Sequence, residues 1–299
     1  MSNDITIIDQ NELAAFAAEI GANADDMKGG VYLPSLKVNY NEDNPETGKE
    51  LKRGVFFLTN QDVTVYSKTV NIRPLMQVFQ WTKYDEVAKK TLNRTKFITN
   101  FGEQARDELG TEKCGKPAAK LLKADKELAK RYEDVTCYRQ IYALVSYTGT
   151  DEDGNEHSVD NVLATLRLKG ANFMPFQEEF ITGMPKDSRL WDFTARLGVT
   201  KEKNDPTSAT SFYIIHFDGD FKTKLPLTSD VFETLKGLKN NVDEINNEID
   251  RKYFAAISAK NADDDNVMAA SKALDITPKV ISDTLADDFV DDIPFWWKI

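Results

Sequence analysis

Cys137-Tyr138-Arg139-Gln140-Ile141-Tyr142-Ala143-Leu144-Val145-Ser146-Tyr147 is a long run of alternating side chains rich in β-branched and aromatic residues. Successive side chains on a strand point to opposite faces, so this pattern predicts a strand with one buried face. Asp151-Glu152-Asp153-Gly154-Asn155 follows as a tight turn, and Ser158 to Leu168 returns as the hairpin partner.

Working outward, Val31 to Tyr40 alternates around Pro34, and Asn41 to Lys49 contains a turn at Asn44-Pro45 and Gly48. Gly54 to Leu58, Val63 to Ile72 and Leu75 to Trp81 read as further strands. Downstream, Phe176 to Ile181 reads as a short helix. Phe212 to Phe217 reads as an apolar strand ending at Asp218-Gly219-Asp220, with Phe221 to Leu227 pairing back onto it. Short strands without alternating strand-helix units predict a mainly β chain with helical additions (α+β): a small closed or half-closed barrel of about five or six strands. The expected organisation is a peripheral segment 1–30, a barrel domain 31–228 with a helical insertion at about 102–134, a C-terminal helix 229–260, and a flexible acidic tail 261–299 with an aromatic tip.

The C-terminal helix begins near Ser229, a plausible N-cap. Val231, Leu238, Val242, Ile245 and Ile249 with Leu235 form a short heptad seam. Such a seam packs a helix on its own domain or supports a homodimer, and both readings stay open. In the insertion, Lys113, Lys116, Lys120, Lys123, Lys126 and Lys130 recur every three or four residues, which predicts a basic stripe on one helix face after Pro117. This stripe is either a solvated face balanced by Asp125, Glu127 and Glu133 or a binding surface for an anion.

Composition narrows the function. The 299 residues are 41% hydrophobic and 29% charged, enough for one large core. No stretch is long and apolar enough to span a bilayer. Asp4, Asp9 and Glu12 stand where an export signal needs a basic, apolar start, so a cytoplasmic location is expected. Two cysteines, Cys114 and Cys137, cannot build a disulfide framework. The net charge of -11 is unevenly spread: residues 31–140 hold 20 Lys plus Arg against 15 Asp plus Glu, whereas residues 241–299 hold 6 against 13. That asymmetry suits a ligand-facing body with an acidic tail.

Catalytic motifs are missing. His157 and His216 are the two histidines, and no Gly-rich phosphate loop, G-x-S-x-G or H-E-x-x-H motif occurs. A zinc site from Cys114, Cys137 and a histidine lacks the paired spacing such sites use, so no metal, no cofactor and no enzymatic activity are expected. Asp218-Gly219-Asp220 reads as a turn.

Binding chemistry is better represented. Single-stranded nucleic acid needs cations for its phosphates and aromatic faces for its bases. Arg53, Tyr66, Lys68, Arg73, Phe79, Trp81, Lys83 and Tyr84 interleave the two on consecutive strands, and Arg94, Lys96, Phe97 and Phe101 follow in a loop. Tyr138 and Arg139 lie on the long strand, Arg167, Lys169 and Phe173 close its partner, and Lys113, Lys116 and Lys120 add the basic stripe. Trp81, Tyr84 and Tyr66 are the favoured stacking residues, and Arg73, Lys83, Arg94 and Lys96 the favoured phosphate contacts.

The C-terminus, Asp287-Asp288-Phe289-Val290-Asp291-Asp292-Ile293-Pro294-Phe295-Trp296-Trp297-Lys298-Ile299, alternates paired aspartates with apolar and aromatic residues and reads as a docking peptide. Its run Asp291-Asp292-Ile293-Pro294-Phe295 resembles the tail tip of bacterial single-stranded DNA-binding proteins, and phage single-stranded DNA-binding proteins also end in an acidic run with a terminal aromatic. The resemblance implies an OB-fold body that binds single-stranded DNA without sequence preference during replication or recombination. It also implies a tail that recruits replication or recombination proteins and competes with DNA for the basic groove. The alternative is a phage structural or assembly protein that docks a partner through the tail.

Overall fold

The computed structural model describes residues 33–43, 48–60, 63–203 and 211–273. The N-terminal segment 1–30 and the tail residues Asp287, Asp288, Phe289, Asp291, Asp292, Ile293, Pro294, Phe295, Trp296 and Trp297 lie outside them. Nine strands occur among the described residues: β1 (Lys37–Val38), β2 (Phe56–Asn60), β3 (Val63–Ser67), β4 (Val70–Asp85), β5 (Lys90–Arg94), β6 (Val135–Thr150), β7 (Glu156–Leu168), β8 (Thr194–Lys203) and β9 (Ser211–Asp220). They form one sheet in the order β1-β2-β3-β6-β4-β8-β9, with β5 on β4 and β7 on β6, and every ladder is antiparallel. The chain is therefore mainly β with helical additions.

The expected β6–β7 hairpin is present and central. Val135, Cys137, Arg139, Ile141, Ala143, Val145 and Tyr147 of β6 all point to one face and are all buried. On β4, Ile72 pairs with Val145 and Pro74 with Ala143, after which the register slips by one, so that Gln77 pairs with Ile141, Phe79 with Arg139 and Trp81 with Cys137. Leu75 is the extra residue. Without this bulge the second half of β4 would turn its apolar set to the opposite face; with it, Val70, Ile72, Phe79 and Trp81 all share the core side. A second bulge sits opposite Ser146, where Asn161 adopts φ 48° and its N–H donates to Ser146 Oγ at 2.9 Å. Asn tolerates this left-handed conformation better than most residues. Gly149 lies where β3 crosses β6, and a Cβ there would sit 2.2 Å from the Tyr66 carbonyl oxygen.

The sheet stays open rather than closing into the expected barrel of five or six strands. Closure requires the edge strands to pair along their length. Here the first segment meets β7 at a single parallel bridge, in which Leu36 N–H donates to Thr165 O and Thr165 N–H to Pro34 O, both at 2.9 Å. At the other end, β8 and β9 prolong the sheet past β4. β8 was not expected, and β9 pairs with it rather than with Phe221 to Leu227, which form no strand.

Phe176–Ile181 is a π-helix that puts Phe176 and Phe180 into the core, stacked at 5.3 Å. It covers the β9 edge: Glu179 Oε2 accepts from Phe217 N–H at 2.7 Å. Nearby, Asn172 donates to Tyr213 O at 2.9 Å and accepts from Ile215 N–H at 2.6 Å. Two side chains thus act as a substitute neighbouring strand, which protects an edge from pairing with other chains.

The long helix spans Ser229–Ala273, past the expected end at 260, so residues 261–273 are helical. Its N-cap is Thr228 rather than Ser229, with the Thr228 hydroxyl accepting from Val231 N–H. Val231, Leu238, Val242 and Ile249 are buried, and the helix packs on β4. Asn246 pins it by accepting from Phe97 N–H at 2.6 Å and donating to Phe97 O at 2.9 Å. The seam therefore packs on its own domain.

The lysine stripe does not lie on one helix. Lys113–Gly115 is a short turn, Ala119–Ala124 and Lys126–Arg131 are separate six-residue helices, and Asp125 breaks them at φ -129° and ψ 104°. Its carboxylate caps the second by accepting from the N–H groups of Glu127 and Leu128.

Candidate nucleic-acid interface

A cleft of about 330 Å³ opens where the β1 segment approaches the end of β7, lined by Lys37, Tyr40, Tyr138, Arg167, Lys169 and Asn172, with Leu36, Leu166, Leu168 and Ile215 supplying apolar wall. Tyr138 sits on the outward face of β6. The Arg167 guanidinium lies 4.2 Å from its ring centroid and the Lys169 ammonium 5.8 Å, both within cation–π range. Tyr40, half exposed, meets Tyr213 edge to face at 5.3 Å. No carboxylate of the described residues lines the cleft. Among the described residues Lys37, Arg167 and Lys169 have no ion-pair partner, so their charge is available to an anion.

The Asn172 and Ser35 side chains of the wall are occupied. Both ends of the Asn172 amide hold the β9 edge, and Ser35 Oγ bonds Thr165 Oγ1 at 3.1 Å. The cleft therefore offers positive charge and aromatic surface but few free groups to read the edge of a base. Such a site suits an aromatic ligand that carries phosphate, with little discrimination among bases.

Few of the residues singled out from sequence meet there. Tyr138 lines the cleft, and so do Arg167 and Lys169. Phe79, Trp81 and Arg139 are buried at 5%, 8% and 2% exposure, which removes them as stacking or phosphate contacts. Arg139 is the odd member of this group, lying on the core face of β6 with its guanidinium 5.2 Å from the Phe79 ring, 5.0 Å from Phe173 and 5.7 Å from Phe176. Its Nε and Nη1 have no hydrogen-bond partner. Burial pulls its pKa down to about 10, still high enough to leave it charged at neutral pH.

The favoured phosphate contacts are engaged inside the protein. Arg73 donates to the carbonyls of Trp191 and Pro226, each at 2.7 Å. Lys83 pairs with Asp134 at 3.6 Å, Arg94 with Glu108 at 3.2 Å, Lys96 with Asp250 at 3.9 Å, and Arg53 with Glu42 at 2.9 Å. Tyr66 leans on Phe57 with its hydroxyl 3.4 Å from Glu152. Burial, followed by the Glu152 charge, pushes its pKa up to about 12. Tyr84 is half-buried and Lys68 exposed.

Lys113 and Lys116 hold their ammonium groups 5.9 and 5.8 Å from the Trp81 ring, and Lys116 also donates to Val135 O. Burial lowers the Lys116 pKa. Lys120 is exposed. Sequence reasoning missed Lys37 and Tyr40. They lie within the expected strand Val31 to Tyr40, but only the tertiary approach of that segment to β7 gives them a common cleft with Tyr138.

Neither histidine is isolated. His157 Nε2 bonds Asp151 at 2.8 Å. His216 links Thr200 Oγ1 and Glu179 Oε1, each at 2.8 Å, tying the π-helix to β8 and β9. No group of three or more metal-ligating side chains occurs among the described residues. No helix among them is long and apolar enough to cross a membrane. No family model, curated protein or solved structure matches the chain.

Proposed function

We propose that this protein binds single-stranded DNA without sequence preference, with Tyr138 and Tyr40 as base-stacking surfaces and Lys37, Arg167 and Lys169 as phosphate contacts. One observation carries the reading: a cleft whose described wall holds Lys37, Arg167 and Lys169 and no carboxylate, with the Arg167 and Lys169 charges over the Tyr138 ring. In a chain of net charge -11, that local segregation favours a polyanion. The lack of free base-reading groups supports protection of exposed strands in replication or recombination rather than recognition of one sequence, a task that needs no chemistry at the site. In this reading the open sheet serves the role of an OB-like barrel face. The acidic tail from Asp287 to Trp297 recruits replication or recombination proteins and, its carboxylates mimicking phosphate, competes with DNA for the cleft.

Titration with labelled oligo-dT at increasing salt tests the reading. Binding should weaken with a log–log slope of about 0.7 per phosphate contact. Affinity independent of salt, or equal affinity for an uncharged polymer of the same length, would reject it. The alternative, a phage assembly protein that docks a partner through the acidic tail, predicts self-association through the Val231 to Ile249 seam, of which Val231, Leu238, Val242 and Ile249 are buried.

A further inference from the structure

We infer that the seam between β1 and β7 is a phosphate-operated clamp: a phosphate of the bound strand lodges between Lys37 and Arg167, and the two strand edges then zip together. The inference rests on the proposed reading of the cleft. It starts from the point where the two edges stop pairing.

Ser35 and Thr165 form a parallel bridge, in which Leu36 N–H donates to Thr165 O and Thr165 N–H to Pro34 O. Peptide groups turn to alternate sides along a strand. Thr165 turns its own toward β1, so Arg167, two residues on, does the same. On the other lip Leu36 turns toward β7, whereas Asn39 N–H donates to Val55 O on the β2 side, so Val38 also turns toward β7. One further step of this parallel ladder adds two bonds, Arg167 N–H to Leu36 O and Val38 N–H to Arg167 O. Neither bond forms, and Leu36, Val38 and Arg167 line the cleft that opens there instead.

The side chains give the reason. Continuing the register sets Lys37 opposite Arg167, just as Ser35 stands opposite Thr165 with their hydroxyl oxygens 3.1 Å apart on a shared face. Like charges directly opposite each other work against strand pairing. Lys169 adds a third cation on the β7 lip, and no carboxylate of the described residues lines the cleft to offset them. The two main chains are therefore matched in register and held apart by charge.

An anion between Lys37 and Arg167 removes that repulsion. Phosphate suits the position, because its several acceptor oxygens can take charge-assisted hydrogen bonds from both side chains at once. Arg167 already stands over the Tyr138 ring, so a base stacked on Tyr138 brings its own phosphate to the lips. Closure joins β1, β2, β3, β6 and β7 into one ring of neighbouring strands. It also pairs the free peptide groups with each other rather than with a base, in keeping with little discrimination among bases.

Amide hydrogen exchange at Val38 and Arg167, read by NMR, tests the clamp in the wild type, Lys37→Glu and Lys37→Gln, each with and without saturating oligo-dT. Salt titrations measure affinity in parallel. Lys37 is exposed, so neither substitution disturbs the core. In the wild type both amides should exchange fast alone and slowly with DNA. Lys37→Glu sets a carboxylate opposite Arg167 and should slow both amides without DNA while weakening oligo-dT binding. Lys37→Gln should lower the salt slope by about 0.7, the loss of one phosphate contact. If oligo-dT binds while the two amides stay fast, or if Lys37→Glu leaves them fast, the clamp is overturned and the cleft reading stands. An unchanged slope in Lys37→Gln overturns it equally. If the wild type binds no oligo-dT, the cleft reading fails and the clamp fails with it.

Discussion

The Arg167 guanidinium lies over the Tyr138 ring at 4.2 Å, the two side chains standing on neighbouring strands, β7 and β6, and on the same outward face. The pairing fixes the tyrosine and keeps a cation beside any base that stacks on it. Tyr138→Ala is expected to weaken oligo-dT binding by about 1–3 kcal/mol, with Tyr138→Phe close to wild type. Fluorescence anisotropy measures both. A phenylalanine variant as weak as alanine would show that the hydroxyl, not the ring, carries binding.

Arg139 brings a charge into a cage of phenylalanines, with no carboxylate partner among the described residues. Replacing a buried charge by an apolar side chain of similar reach is commonly neutral or stabilising by about 1–4 kcal/mol. Arg139→Met should therefore keep or raise the melting temperature. Arg139→Ala should lower it, because it leaves a cavity. Equal losses in calorimetry would mean that the guanidinium itself stabilises the fold.

Burial, aided by Asp107, pushes the Cys114 thiol up from 9.0 to about 12. The folded protein keeps a proton that the unfolded chain releases, so this contribution to stability is complete below pH 9 and is lost as pH rises through about 12. Cys114 should resist iodoacetamide at pH 9 in the native protein and react on unfolding. Rapid native labelling, read by mass spectrometry, would contradict this placement.

Deleting Leu75 removes the bulge that keeps Val70–Pro74 and Gln77–Trp81 on one face. The expected outcome is loss of cooperative unfolding by circular dichroism, because one half of β4 must then turn its apolar residues outward.

Ile249 is fully buried on the long helix. Ile249→Ala is expected to cost about 2–5 kcal/mol in denaturant unfolding. A negligible cost would mean that the helix is not part of the cooperative unit.

Much of the fold was legible where the signal was local. The β6–β7 hairpin, the turn at Asp151 to Asn155, the helical segment Phe176–Ile181 and the start of the long helix follow from period, turn residues and capping, all contained in short windows. β8 carried a weaker signal: Ala195, Leu197 and Val199 alternate, but Gly198 and the charged residues beyond it blur the pattern. β5, Lys90–Arg94, has no apolar alternation and is a strand because β4 offers it hydrogen bonds. The extended stripe of lysines had the spacing of a helix face, but Asp125 made a better cap than a mid-helix residue.

The sequence by itself determined the mainly β character, the strand faces of the central hairpin and the separation of a basic body from an acidic tail. Backbone geometry and charge composition act at the level of the residue and its near neighbours. The tertiary structure alone decided which cations are available. Lys96 is held by Asp250 and Arg94 by Glu108, whereas Arg167 and Lys169 meet at the Tyr138 ring in a cleft shared with Lys37, with no carboxylate of the described residues in its wall. An isolated lysine or arginine reads the same in every window of sequence, and its partner is set by chain segments that meet only when the sheet has folded.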